Sequence, residues 1–142
     1  MSLRLGYPSR EKERELLLSG GIEGLLEDLT PVVSREEVVE LQQRAAGVRV
    51  ADQLADYILS LVEATRDSSR FLLGVSTRGA QNLYRSTQAM ALCEGRAFAV
   101  PDDVQRVAAP VLAHRVMLKS GDGLETAVSA IRSVVGSVPV PV

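Results

Sequence analysis

The chain has 142 residues, 46% hydrophobic, 24% charged and 4% aromatic, with no tryptophan and a formal net charge of −2. That length suits one domain with an unstapled core built from Leu, Val, Ile and Ala, and the slight acidity argues against nucleic acid as a main partner. The single cysteine, Cys93, excludes an internal disulfide and suits a reducing cytoplasm; no apolar run can span a bilayer, and no stretch reads as a signal peptide.

Met1-Ser2-Leu3 reads as an added start joined to a sequence taken from mid-protein. Pro8 breaks what precedes it, Ser9 offers an N-cap, and Glu11 and Glu13 suit a first helical turn. A helix is expected from about Arg10 to Leu18, stopped by Ser19-Gly20-Gly21, with weak turns over Ile22 to Asp28. Ser34 and Glu37 form a capping box, opening a helix to about Ala46 with Val38, Leu41 and Ala45 on one face. Val48-Arg49-Val50 alternates like a short strand.

Asp52 to Arg66 carries the clearest helical period, through Leu54, Tyr57, Ile58, Leu61, Val62 and Thr65. Arg66 suits the negative end of that helix. A polar loop and the apolar run Phe71 to Val75 lead to Ser76, the cap of a helix from Thr77 to about Glu94. Its inner face is Ala80, Leu83, Tyr84, Thr87, Met90 and Ala91, and Cys93 reads as packing. Ala97 to Val100 is a second strand candidate. Pro101-Asp102-Asp103 opens the next helix, whose core face is Val104, Val107, Ala108, Val111 and Leu112, with Pro110 bending or restarting it. Arg115 to Leu118 is a third strand candidate, and Glu125 to Val135 a final amphipathic helix before an extended Val-Pro-Val-Pro tail. The fold class is mainly α, a helical bundle with two or three very short strands, too small for a main sheet.

No Gly-x-x-x-x-Gly-Lys-Ser/Thr loop is present, so the chain does not cradle a triphosphate alone. One His and one Cys make no metal-ligand cluster, and no metal residue is assigned. Asp102 and Asp103 read as partners of a helix dipole. Arg78 breaks the local rule: in the first turn of its helix a cation opposes the dipole, by roughly 0.3–1 kcal/mol. An anion held by the free N–H groups and the guanidinium would compensate, and Gly79 would let it come close. A structural alternative pairs Arg78 with a carboxylate such as Asp67.

The segment Gly74-Val75-Ser76-Thr77-Arg78-Gly79-Ala80 resembles the Gly-x-Ser-Pro-Arg motif of the MoxR family of AAA+ ATPases. Arg4-Leu5-Gly6-Tyr7-Pro8 looks like the hinge leaving the ATPase domain, Thr65-Arg66 precedes the motif at the usual interval, and Glu94-Gly95-Arg96, Val100-Pro101-Asp102-Asp103-Val104 and Val111-Leu112-Ala113-His114-Arg115 follow in the family's order. Thr77 stands where the family usually has Pro, and Val100 where a capping Thr or Ser is common.

The resemblance implies an AAA+ lid-type bundle over residues 9–142, with 1–8 as the start and hinge from a large ATPase core. It implies that Arg78 is the sensor-2 arginine reaching the γ-phosphate, with Ser76, Thr77, Gly79 and Tyr7 at the nucleotide. The full-length protein would use ATP and Mg2+, hydrolyse ATP, form a homo-oligomeric ring (usually a hexamer) and act as a chaperone in maturation or metal insertion. Its partners would include the large AAA+ domain of the same chain and a von Willebrand factor A-domain protein, and no nucleotide is expected on this part alone. Arg115 either faces the nucleotide interface or anchors the bundle by pairing with a carboxylate, and His114 reads as a packed or capping histidine.

Two other readings remain open at this stage. A helix-turn-helix nucleic-acid binder would use Thr77–Glu94 for recognition, but that helix offers Arg78 and Arg85 against Glu94 in an acidic chain. A stand-alone helical protein-interaction module predicts an exposed apolar groove.

Overall fold

A computed structural model describes residues 1–19, 29–121 and 123–141. The expected turns over Ile22 to Asp28 lie outside the described residues. The elements in chain order are α1 (Arg10–Leu18), α2 (Arg35–Ala46), α3 (Asp52–Asp67), β1 (Phe71–Leu73), α4 (Thr77–Cys93), α5 (Pro101–Leu112), a 3-10 turn (Ala113–Arg115), β2 (Met117–Leu118) and α6 (Leu124–Ser137). No described helix is long and apolar enough to cross a membrane.

The caps decide where the helices begin. Ser9 accepts from the Lys12 N–H, while Ser34 and Glu37 form the reciprocal box, with Glu37 accepting from Ser34 N at 2.6 Å. Val100 has no side-chain acceptor, so only the reverse half of a box exists at the start of α5, where Asp103 accepts from Val100 N at 2.9 Å.

Helices α3 to α6 share one core. Leu61, Val62, Leu83, Val104, Leu112 and Ile131 are each nearly or wholly removed from water. Helix α4 is its axis, packing on α5 most extensively and also on α2 and α3, while α6 closes the far side against α5. The aliphatic expectation holds for most of the core, but Tyr57 and Phe71 are also buried in it. The 3.6-residue period selected the buried faces of α3 and α5 correctly, because apolar stripes of that width find a partner on every side.

Four expectations need correction. The strand candidates at 48–50 and 97–100 shrink to one parallel bridge, Arg49 with Phe98, held by Arg49 N to Ala97 O and Ala99 N to Arg49 O. The sheet instead pairs β1 with β2 antiparallel, Phe71 opposite Leu118, and Arg115 belongs to the 3-10 turn. Helix α2 buries no residue fully; Val38 and Leu41 stay 40% and 46% exposed because α2 is held mainly through its C-terminal end. There the buried Gln88 amide donates to Ala46 O and Val48 O. Cys93 is exposed rather than packed. It lies two positions past the buried Ala91, roughly 200° round the helix and on its outer side.

Pro110 does not end α5, which runs two residues further to Leu112. Before α1, Ser2 N donates to Pro110 O at 2.7 Å and Arg4 pairs with Glu125, so the first residues lie along α5 and α6.

Candidate functional site

The start of α4 is held by α3. Thr65 is fully buried; its hydroxyl donates to Val62 O at 2.6 Å and accepts the Val75 N–H at 3.0 Å. The next residue, Arg66, donates from Nε to Val75 O at 2.9 Å. Both backbone polar groups of Val75 therefore end on consecutive residues of α3, and its side chain is buried.

Gly74 lets the two segments approach. A Cβ there would fall 2.9 Å from Arg66 N, Cα and Cγ, closer than real Cβ contacts allow. Ser76 follows in extended conformation (φ −74°, ψ 165°), and its hydroxyl accepts the Gly79 N–H at 3.2 Å. Ala80 N donates to Ser76 O, so the cap and first turn leave the N–H groups of Thr77 and Arg78 without a partner among the described residues. Gly79 is buried because Val75 lies beneath it; a Cβ on Gly79 would sit 2.5 Å from Val75 Cγ1.

Arg78 stands exposed at the second helical position, beside those free donors. The described ion pairs are Arg4–Glu125, Lys12–Glu15, Arg96–Asp103 and Arg106–Glu94, and Arg78 is in none of them. The expected alternative, a pair with Asp67, is not formed. Arg115 lies at the same end: its Cδ would be 3.8 Å from a Cβ on Gly79, and its Nε donates to Val111 O at 3.1 Å. It anchors on a carbonyl rather than on the expected carboxylate. His114 is exposed rather than packed. Loss of hydration, with the charge of Arg115, pushes its pKa below the ordinary histidine value.

Ser76, Thr77, Arg78 and Gly79 are thus brought together in one turn. Tyr7 is not: it is 97% exposed and no described hydrogen bond or ion pair joins it to α4.

Asp102 and Asp103 part company. Asp102 is exposed at the helix start, whereas Asp103 is 1% exposed and receives Arg96 through Nη1 at 2.8 Å and Nη2 at 2.6 Å. Burial would raise the Asp103 pKa, but the Arg96 hydrogen bonds, the Val100 N–H and the charges of Arg96 and Arg106 outweigh it and hold the carboxyl low. Among the described residues no three His, Cys, Asp or Glu side chains gather as a metal site.

Reading from the sequence missed the roles of Thr65, Arg66 and Gln88. Thr65 was legible only as a core-facing position and Arg66 only as a dipole partner. The available signal was a hydroxyl on an otherwise apolar stripe, since a buried hydroxyl needs partners.

The start of α4 thus carries an exposed arginine, in none of the described ion pairs, beside two N–H groups with no described partner. The chain belongs to the AAA lid domain family, whose match runs over residues 63–134. More narrowly, it is a MoxR-like AAA+ lid domain.

Among curated proteins it is 37% identical over 142 residues to the uncharacterized protein YeaC of Bacillus subtilis, covering 99% of this chain and 44% of that protein. It is 31% identical over 130 residues to the chaperone MoxR1 of Mycobacterium tuberculosis, covering 82% and 33%. It is 38% identical over 86 residues to protein MoxR of Paracoccus denitrificans, covering 51% and 25%. A crystal structure from Cytophaga hutchinsonii assigned to an ATPase superposes with a TM-score of 0.75 at 26% identity, over 100% of this chain and 46% of that one. The chain spans less than half the length of each of these proteins.

Proposed function

We propose that this domain closes over ATP held by a large AAA+ domain of the same protein and supplies Arg78 as the sensor-2 arginine. The observation that carries the reading is the uncompensated cation beside two free N–H groups at the capped start of α4. A γ-phosphate there would meet backbone donors, the helix dipole and a guanidinium together. Arg78 would stabilise charge on that phosphate, and its loss on hydrolysis would release the lid.

Residues 1–8 act as the hinge and residues 9–142 as the lid, with Tyr7 carrying the hinge backbone past the adenine. Ser76 and Gly79 shape the turn, and Thr77 contributes an N–H. Mg2+ would be held with ATP by the large domain.

The family resemblance supports a whole protein that would be a cytoplasmic, ring-forming ATPase, usually a hexamer. It would act as a chaperone in maturation or metal insertion, with a von Willebrand factor A-domain protein as partner.

The test is steady-state ATP hydrolysis by a protein carrying both domains, with and without Arg78→Ala. We expect a fall of about tenfold or more with the fold retained by circular dichroism. Unchanged turnover would make Arg78 a surface arginine and end the sensor reading.

A further inference from the structure

We propose that Thr65 and Arg66 are positioning residues for Arg78, acting through the backbone of Val75; this rests on the sensor reading above. Three observations converge on one short stretch. The Thr65 hydroxyl takes the Val75 N–H, Arg66 Nε gives to the Val75 carbonyl, and Gly74 removes the side chain that would hold α3 and the loop apart.

Two hydrogen bonds from adjacent residues to one peptide-bonded residue fix its orientation as well as its distance. Ser76 follows at once as the cap, and Arg78 lies two residues beyond. The first turn of α4 therefore inherits its position and direction from α3. The Thr65 bonds lie in a water-excluded setting, where no solvent replaces a lost partner. Arg66 commits its Nε to Val75 from the end of α3, so its role in the clamp is to hold the backbone.

A group that must meet a transferring phosphate within a fraction of an ångström loses rate steeply when its support loosens. Thr65→Val removes the hydroxyl and keeps the branched shape. It should lower kcat on the order of tenfold to a hundredfold in the two-domain protein. Thr65→Ser, which keeps the hydroxyl, should restore most of that loss. Arg66→Met, at an exposed position, gives an independent variant should Thr65→Val not fold.

The deciding measurement is a double-mutant cycle with Arg78→Ala, reading kcat for each enzyme. If the clamp works through Arg78, Thr65→Val or Arg66→Met lowers kcat in the parent and adds little once Arg78 is alanine. Equal losses in both backgrounds, or no loss in the parent while Arg78→Ala is impaired, overturn the positioning role and leave the sensor reading intact. No effect of Arg78→Ala by itself removes both.

Discussion

Replacing Asp103 with alanine isolates the one buried charge among the described residues. The carboxylate is 1% exposed and accepts three hydrogen bonds, two from Arg96 and one from Val100 N. Hydrogen bonds to a charged group contribute about 1.5–3 kcal/mol, and the half capping box adds about 0.5–2 kcal/mol. The Arg96 side chain keeps 27% of its exposure, so water can take over part of its hydration when the partner goes. The loss should therefore stay below the sum, at about 2–4 kcal/mol. For a domain of this size that is a drop in Tm of roughly 6–15 °C, read by thermal unfolding at 222 nm, the usual helix signal.

The pH dependence provides the control. The folded pKa of Asp103 lies below its unfolded value, so the pair stabilises the fold fully above the unfolded carboxylate pKa of about 3.9. That contribution is lost as pH falls through the folded value. The gap between parent and Asp103→Ala should be widest near neutrality and should narrow in acid. A gap of less than a degree at pH 7, or one that is equally wide well below pH 4, would refute the assignment of this stability to an ionised pair.

Gly74→Ala should destabilise by about 1–3 kcal/mol, because its Cβ meets backbone atoms of Arg66 that cannot swing aside. A chemical-denaturation midpoint checks this, and an unshifted midpoint would mean the loop relaxes freely. Thr77→Pro should be neutral to stabilising by about 0.4–1 kcal/mol. The Thr77 N–H has no described partner, and Ser76 already holds the extended conformation that precedes proline. A lowered Tm for that variant would show that the Thr77 N–H or its φ matters to the fold.

What was legible in advance was local. Ser9, Ser34 and Ser76 announce helix starts because a cap acts within three residues, and the 3.6-residue stripe of α3 names its buried side before any partner is known. Arg78 stood out for the same reason, as a cation in a first turn where the dipole is unfavourable. The sequence by itself thus determined the helices, most of the core and the suspect arginine.

Only the tertiary structure decided what crosses between elements. Whether 48–50 and 97–100 form strands depends on the facing backbone, and they meet at a single bridge. The stripe on α2 stays half open because burial needs a neighbour along the whole helix, not just an apolar face. Thr65 and Val75 are ten residues apart, and Arg96 and Asp103 seven, so their hydrogen bonds exist only once the chain between them has turned back. A hydroxyl or a guanidinium carries no mark of its partner, since any donor suits any acceptor within reach; packing geometry alone selects which one it meets.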